Sequence, residues 1–275
     1  MKIEQLSTHI GAEISDVHLD DLGEAEIAEI KKAWLDHKVL VFRDQRITTE
    51  AHIAFGGNFG ELEIHPFADN LDDHPEVIVL EAGGDSSRQN YNAAKDWHID
   101  VSFREKPPMG SILRGKVIPE SGGDTRFSNA AAAYEKLESD IKDRVDELFA
   151  VNDYIKMFGP GTRFNDKESH SENIKEYPPV LHPVIRTHPE TGGRSIFTNN
   201  FFTSHIEGVD DSESEYLLGK LAEAIRDPSI QFRVQWEPET FVMWDNRCVH
   251  HVATDDFLPL YRRMERVTIA GDRPY

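Results

Sequence analysis

The segment WHIDVSF at residues 97–103 holds the side chains best suited to chemistry in this chain. Apolar and polar residues alternate strictly along it, and this period of two predicts a β-strand with His98, Asp100 and Ser102 on one face. An imidazole and a carboxylate that point the same way can bind a metal ion. With a second histidine from elsewhere they would form the facial triad that suits non-haem Fe(II) in oxygenases. The motif is short, and the polar face of a half-exposed strand would explain it equally well.

A third ligand would have to come from a distant part of the chain, on a strand that packs opposite. His250 and His251 are the two candidates. In a strand their side chains point to opposite faces, so only one of them could reach the metal, and spacing alone does not choose between them. The neighbouring Cys248 could be a thiol nucleophile, but it lies in an apolar run with no partner at a fixed spacing.

Two arginines follow in a segment that is predicted to be a strand. Arg262 and Arg266 are four residues apart, so a period of two places them on the same face. On a protein surface they would be solvated. Pointed into a barrel, they would be placed to bind a carboxylate or a sulfonate in bidentate fashion.

The elements that must position these residues are mainly short strands. Gly, Pro, Asn and Asp separate the apolar stretches, strands and helices do not alternate regularly, and no glycine-rich phosphate loop is present. The pattern favours a mixed, mainly β fold, a sandwich or jelly roll with helical decoration, and the length suits a single domain over residues 1–275. The predicted helices span 24–35, 48–59 with a Thr cap, 129–149 with a break near residue 139, and 212–226. In addition to residues 97–103 and the segment that holds Arg262 and Arg266, the predicted strands span 39–42, 77–80, 110–118, 124–128, 230–236, 240–244 and 249–253. The polar residues 159–179 predict a mobile loop.

The composition excludes several classes of function. The 30 basic and 50 acidic residues give a formal net charge of −20, which repels nucleic acid and anionic membranes. No apolar run approaches the length of a membrane span, and the first residues, MKIEQLSTHIGAEI, do not resemble a signal peptide. Cys248 is the only cysteine, so no intrachain disulfide can form. We therefore expect a cytoplasmic protein.

Several motifs occur together, in one order, along nearly the whole chain. They are WHIDVSF at 97–103, GGDT at 122–125, WDNR at 244–247, His251, the pair Arg262 and Arg266, and AGD at 270–272. Further stretches that match are IGAEI at 10–14, FRDQ at 42–45, FGEL at 59–62 and LHPVIRTHP at 181–189. Each motif is weak alone, but jointly they are highly specific. The chain resembles the taurine dioxygenase/2,4-dichlorophenoxyacetate dioxygenase family of Fe(II)/2-oxoglutarate-dependent dioxygenases.

The resemblance implies a metal site and a reaction. His98, Asp100 and His251 would be the catalytic iron ligands, and the family's histidine four residues after the arginine of WDNR selects His251 over His250. The implied cofactors are Fe(II), 2-oxoglutarate as co-substrate, and O2. The implied reaction hydroxylates a C–H bond and releases succinate and CO2, while the protein supplies orientation and excludes water.

The resemblance also implies the fold and the 2-oxoglutarate site. Arg262 matches the arginine that pairs with the distal carboxylate of 2-oxoglutarate, and Thr125 matches the threonine that hydrogen-bonds it. The implied fold is a double-stranded β-helix, or jelly-roll, core with flanking α-helices. This agrees with the number of strands that the sequence predicts.

Four positions match substrate-binding residues of the family. Arg266 matches the arginine that binds the sulfonate in taurine dioxygenase, and His65 matches a substrate-contacting histidine. Phe158 and Phe202 match substrate-side aromatics, although a loop histidine and a core phenylalanine are alternatives for His65 and Phe202. The resemblance therefore implies a small anionic organic substrate, a sulfonate or a sulfate ester.

Other readings of the substrate stay open. Ala68 and Ala94 stand where the enzyme that acts on taurine has a tyrosine and an asparagine at the amine end, which argues against strict taurine specificity. The alternatives are an aryloxyalkanoate (herbicide-type) dioxygenase, a biosynthetic hydroxylase of the same family, and a non-catalytic jelly-roll protein that binds metal and 2-oxoglutarate. Family members are often dimers or tetramers, so we expect a homo-oligomer.

Overall fold

Two β-sheets pack face to face at the centre of the structure. This computed structural model describes residues 1–65, 68–84, 96–159 and 170–275. Within those residues the strands are β1 (Lys2–Gln5), β2 (Ala12–Ser15), β3 (Val39–Phe42), β4 (Ile78–Ala82), β5 (Gly110–Val117), β6 (Thr125–Asn129), β7 (Phe149–Asn152), β8 (Val180–Pro183), β9 (Ile185–Thr187), β10 (Arg194–Ile196), β11 (Thr203–Ile206), β12 (Gln231–Val234), β13 (Phe241–Asp245), β14 (Val249–Ala253) and β15 (Arg262–Ile269). The α-helices there are α1 (Glu24–His37), α2 (Thr49–Gly57), α3 (Ala130–Lys136), α4 (Ser139–Val145), α5 (Tyr154–Phe158), α6 (His170–Glu176) and α7 (Asp211–Ile225).

The larger sheet runs in the order β1-β2-β3-β13-β5-β15-β4, and the smaller central sheet in the order β12-β6-β14. All pairs in these two sheets are antiparallel except β2 with β3. The strands β11-β7-β8 and β10-β9 form two further small sheets. This arrangement places β15, which comes last in the chain, between β5 and β4 of the larger sheet.

The two faces of the larger sheet pack against different layers. Val41 of β3 points inward, where it joins Phe127 of the smaller sheet in one core cluster. Its neighbour Leu40 points outward and packs with Trp34 of α1 and Phe55 of α2. Because alternate residues of β3 face two cores, the whole strand is apolar and buried.

A second group of helices covers the far side of the smaller sheet. Ala130 and Ala133 of α3, with Leu217 and Leu221 of α7, share a core cluster with Val252 of β14. The layers are therefore helices, large sheet, small sheet, helices. This confirms the predicted mainly β fold class, a jelly-roll core with flanking α-helices.

Several element predictions are confirmed in detail. β3 and β14 have the predicted bounds, and Thr48 caps α2 by accepting a hydrogen bond of 3.2 Å from the amide of Ala51. The predicted break near Ser139 separates α3 from α4.

The predicted strand over residues 97–103 is wrong. His98 makes one isolated bridge with His251, and the chain then turns, with Val101 at a φ of +40°. Every residue of the segment is buried. The polar side chains therefore face buried partners and not solvent, since His98 and Asp100 line a cavity and Ser102 accepts a hydrogen bond from Asn199, so the segment is not a half-exposed strand.

Shorter elements were not predicted from the sequence. They include β1, β2, the five strands β7 to β11 and the helices α5 and α6. The predicted mobile loop is tested only in part, because residues 160–169 lie outside the described residues and α6 occupies residues that follow. Among the residues that the structure describes, no helix combines the length and apolar character that a membrane span needs.

Gly110, at the start of β5, allows α1 to approach the sheet closely. A Cβ at this position would lie 2.5 Å from Cζ2 of Trp34 and 2.8 Å from the carbonyl oxygen of Trp244. We predict that Gly110→Ala lowers the free energy of unfolding by about 1–3 kcal/mol, because overpacking forces core side chains and backbone to shift. Chemical denaturation measures the change.

The matched control for this prediction is Gly57→Ala in α2, where a Cβ would meet nothing within 4 Å. Alanine there should stabilise the helix by up to about 1 kcal/mol. Equal losses of stability in the two variants would contradict the packing argument.

Candidate active site

A cavity of about 160 Å³ lies between the two central sheets. Every residue that the sequence singles out for the site lines it, namely His65, His98, Asp100, Thr125, Phe158, Phe202, His251, Arg262 and Arg266. Among the described residues, its lining also includes Leu80, Val101, Leu113, Met157, Phe201, Trp244 and Ala253. The fold thus brings together segments that are far apart in the sequence.

His98, Asp100 and His251 meet at one side of this cavity. Nε2 of His98 lies 3.9 Å from Oδ1 of Asp100, and Nε2 of His251 lies 3.8 Å from the same oxygen. The potential ligand atoms of the three residues all lie within 4.8 Å of one another. An ion about 2.1 Å from each of two ligands leaves them at most about 4.2 Å apart, so both measured distances fit a single ion.

His98 is held in a defined orientation. Its backbone exchanges two hydrogen bonds with His251, of 3.1 and 3.0 Å, and its Nδ1 lies 2.8 Å from the carbonyl oxygen of Asp96. Since Nδ1 donates to that carbonyl, Nε2 is the nitrogen that faces Asp100 with its lone pair. Phe201 stacks on the ring at a centroid distance of 4.5 Å and an angle of 19°.

His251 reaches the site from β14 of the smaller sheet. Its ring lies between Phe127, at 6.0 Å, and Trp244, at 4.9 Å. Burial lowers the pKa of His98 and lowers that of His251 further, so both imidazoles are neutral at neutral pH. The neutral form is the one that binds metals. His250 points to the other face of β14, where its Nε2 lies 3.1 Å from the carbonyl oxygen of Ile196.

Asp100 is buried but remains a carboxylate. Burial alone would raise its pKa, but the positive charge of Arg266 is the largest of several effects that hold the pKa well below its usual range. Nη1 of Arg266 donates to both carboxylate oxygens at 3.1 Å, and the hydroxyl of Ser111 donates to Oδ2 at 3.1 Å. A charged acceptor in a dry site needs such donors.

Arg262 lies at the other end of the cavity. Its guanidinium is 5.8 Å from the ring of Trp236 and 5.8 Å from that of Phe257, and the residue is 1% exposed. The Trp236 indole donates to the hydroxyl oxygen of Thr125 at 3.0 Å. The Thr125 hydroxyl can therefore donate its own proton to another acceptor. A Cβ at Gly123 would lie 3.0 Å from Nε of Arg262. Close packing therefore fixes where this cation sits.

Sequence reasoning missed several residues of the site. Phe201 and Met157 line the cavity, Ser111 supports Asp100, and Asn246 hydrogen-bonds the backbone of Asp100. Phe201 could have been noticed beside Phe202, but Ser111 and Asn246 contact Asp100 only through tertiary structure. Of the two alanines of the predicted pocket wall, Ala68 is not among the described residues that line the cavity, and Ala94 lies outside the described residues.

A second buried group of metal-ligating residue types has a structural explanation. Asp245 accepts hydrogen bonds from Nε and Nη2 of Arg247, at 2.8 and 2.7 Å, and contacts Nε2 of His188 at 3.0 Å. The amides of Glu190 and Thr191 donate to the remaining nitrogen of His188. Burial raises the pKa of the adjacent Cys248, which keeps it a thiol. The thiol-nucleophile alternative is therefore not favoured.

The fold and the site together define a class of protein. It is a jelly roll whose cavity brings two histidines and one carboxylate close enough together to bind a metal ion. The sequence model of the taurine catabolism dioxygenase TauD, TfdA family matches residues 2–268. The chain belongs to this family. The predicted 2-oxoglutarate-dependent dioxygenase activity, with Fe(II), 2-oxoglutarate and O2 as cofactors, is thereby confirmed.

Known proteins resemble the chain over almost its whole length. An alkylsulfatase from Acinetobacter baylyi is 34% identical over 279 residues, which cover 99% of this chain and 86% of that protein. An (S)-phenoxypropionate/alpha-ketoglutarate-dioxygenase from Sphingobium herbicidovorans is 32% identical over 98% of this chain and 95% of that protein. The crystal structure of AAD-2 in complex with Mn(II) and N-oxalylglycine superimposes with a TM-score of 0.87 at 30% identity, over 100% of this chain and 99% of that one.

Proposed function

We propose that this enzyme hydroxylates a small organic anion, a sulfonate or a sulfate ester, next to its anionic head group. The observation that carries the proposal is the position of Arg266. Its guanidinium lies at the metal-ligand cluster, lines the cavity, and is 3.1 Å from Asp100. If the anionic head group of a substrate pairs with Arg266, the carbon atoms next to that head group would lie beside the metal site.

His98, Asp100 and His251 would hold the iron in this proposal. Their donor atoms fit one ion, and two neutral imidazoles with one carboxylate are the ligand set of non-haem Fe(II) oxygenases. With 2-oxoglutarate and O2, this iron would supply the oxidation that places one oxygen atom in succinate, with loss of CO2, and the other in a substrate C–H bond. The protein binds, orients and shields the reactants.

Arg262 and Thr125 would bind the distal carboxylate of 2-oxoglutarate. Both line the end of the cavity that is away from the metal ligands, beside the first residue of β15. Four residues of extended strand span about 13 Å, so Arg262 and Arg266 can serve two different anions. This division of labour leaves Arg266 for the organic substrate.

The substrate end of the cavity is otherwise largely apolar. Met157, Phe158, Phe201 and Phe202 line it together with His65. Burial, and then the charge of Arg266, lower the pKa of His65 to about 3, so the imidazole is neutral and Arg266 supplies the positive charge for the head group. An alkyl or aryl tail would lie against the aromatic side chains.

The relatives support sulfate esters and sulfonates first. The alkylsulfatase from Acinetobacter baylyi matches 99% of this chain at 34% identity, and the phenoxypropionate enzyme matches 98% at 32% identity. An aryloxyalkanoate also combines an anionic head with an aromatic ring, and it is the second substrate class that the Arg266 end of the cavity would accept. A non-catalytic role is not favoured, because the ligand set and Arg262 are all present in one cavity.

Oxygen uptake by the purified protein tests the substrate class. Alkyl sulfates, alkyl sulfonates including taurine, and aryloxyalkanoates are compared in the presence of Fe(II) and 2-oxoglutarate, with succinate measured alongside. Hydroxylation of the carbon that bears the ester oxygen converts RCH2–OSO3⁻ into RCH(OH)–OSO3⁻, which breaks down into an aldehyde and hydrogensulfate. We expect sulfates or sulfonates to stimulate uptake most, with matching release of sulfate or sulfite. Stimulation by aryloxyalkanoates alone would overturn the choice of head group.

The ligand assignment makes a direct prediction about neighbouring histidines. His98→Ala and His251→Ala should abolish Mn(II) or Fe(II) binding, because each removes one of three protein ligands. His250→Ala should retain metal binding, since His250 faces the opposite side of β14 and contacts Ile196. Calorimetric titration with Mn(II) measures all three. Full metal affinity in His251→Ala would show that the wrong histidine was chosen.

The two arginines should affect different ligands. Arg262→Ala should raise the KM for 2-oxoglutarate on the order of 10- to 100-fold, the loss expected for a charged hydrogen-bonding pair. Arg266→Ala should instead raise the KM for the organic substrate more than that for 2-oxoglutarate, and it also removes a donor to the metal ligand Asp100. Arg263→Ala is the matched control, because Arg263 lies on the opposite face of β15 and pairs with Glu81 and Glu265. A loss confined to 2-oxoglutarate in Arg266→Ala would mean that the two roles are exchanged.

Three expectations from the sequence stay predictions. They are the single domain over residues 1–275, the cytoplasmic location and the homo-oligomeric state. The lone, buried Cys248 is consistent with a reducing compartment. Light scattering on the purified protein would measure the oligomeric state.

A further inference from the structure

Asn246 connects the two segments that carry the metal ligands. It lies in the turn between β13 and β14, five residues before His251, and is fully buried. Its Oδ1 accepts a hydrogen bond of 2.9 Å from the amide of Asp100, and its Nδ2 donates to the carbonyl oxygen of Asp100 at 3.3 Å. One side chain therefore holds both backbone polar groups of the carboxylate ligand.

Asp100 needs such support because no β-ladder holds it. The bridge between His98 and His251 is isolated, and the next residues of β14 pair with β6. Immediately after Asp100 the chain turns through Val101, whose φ of +40° is unusual for a β-branched residue. The side-chain amide of Asn246 takes the place of the missing backbone partner.

The turn that carries Asn246 is itself firmly held. The backbone amide of Asn246 donates to the carbonyl oxygen of Met109 at 2.9 Å, and its Nδ2 also donates to that of Pro108 at 3.0 Å. The residues on either side, Asp245 and Arg247, pair with each other in the buried network described above. Asp100 is thus fastened to a rigid support.

We propose that Asn246 is a positioning residue of the metal site, whose amide sets the place of the Asp100 carboxylate relative to His98 and His251. It is not among the described residues that line the cavity. Its loss would leave the three ligands in the chain but would let Asp100 move away from the histidines. The inference rests on the proposed role of Asp100 as a ligand.

A purely structural role for Asn246 would give a different result. Asn129 offers the matched control, because it is also a buried asparagine with three hydrogen bonds, from the amides of Ala131 and Ala132 and to the carbonyl oxygen of His9. It does not line the cavity. Removing either amide should lower stability, but only the loss of Asn246 should change metal affinity.

The experiment measures Mn(II) affinity of the full chain by calorimetry or by the EPR signal of free Mn(II). The proteins are the wild type, Asp100→Ala, Asn246→Ala and Asn129→Ala, each with its melting temperature. We expect Asn246→Ala to weaken Mn(II) binding by about 10- to 100-fold, the usual effect of removing a partner that orients a ligand. Asn129→Ala should bind Mn(II) as the wild type does while losing similar stability.

The outcomes separate the two proposals. If Asp100→Ala binds Mn(II) like the wild type, the proposed metal site is wrong. If Asp100→Ala loses binding but Asn246→Ala matches Asn129→Ala, only the positioning role is overturned. If Asn246→Ala does not fold, Asn246→Ser is compared with Asn129→Ser instead. Serine keeps a hydroxyl that can accept a hydrogen bond from the Asp100 amide, and the comparison again asks whether only the change at Asn246 weakens Mn(II) binding.

Discussion

The buried negative charge of Asp100 is the interaction on which the arrangement of the site depends. A carboxylate removed from water is costly unless donors and positive charges surround it. Here the donors come from two strands of the larger sheet, Arg266 from β15 and Ser111 from β5. Asn246, in the turn between β13 of the larger sheet and β14 of the smaller sheet, holds the backbone of Asp100, so the placement of one carboxylate depends on both central sheets. An iron ion would add a further positive charge at the same place.

Net charge and local charge have opposite signs in this protein. The chain as a whole carries −20, yet the only fixed cations that line the cavity, among the described residues, are Arg262 and Arg266. Both are buried or nearly so and stand on one strand, so solvent screens them poorly. A small anion that enters the cavity therefore meets a positive field, while the acidic surface repels nucleic acid and other large polyanions.

How far the sequence predicts the structure depends on the range of the interactions involved. β3 and β14 were predicted with correct bounds because their apolar residues specify a buried strand locally. The segment 97–103 was assigned to a strand in error, because its polar residues contact buried groups that only the tertiary structure brings near. The expectation that His98 and Asp100 lie beside His251 nevertheless agrees with the structure. Residue chemistry and the family motifs identified them without the secondary structure.

The support of Asp100 by Asn246 shows what local pattern cannot reveal. An asparagine in a turn between two strands is ordinary in sequence, and its usual explanation is the turn itself. Only the fold brings its amide within 2.9 Å of a residue 146 positions away. The ion pair of Asp245 with Arg247 holds this turn in place, so the motif WDNR acts at the site through packing and hydrogen bonds. A ligand in a turn can then be as well fixed as one in a strand, provided that the surrounding chain supplies the hydrogen bonds that a sheet would have made.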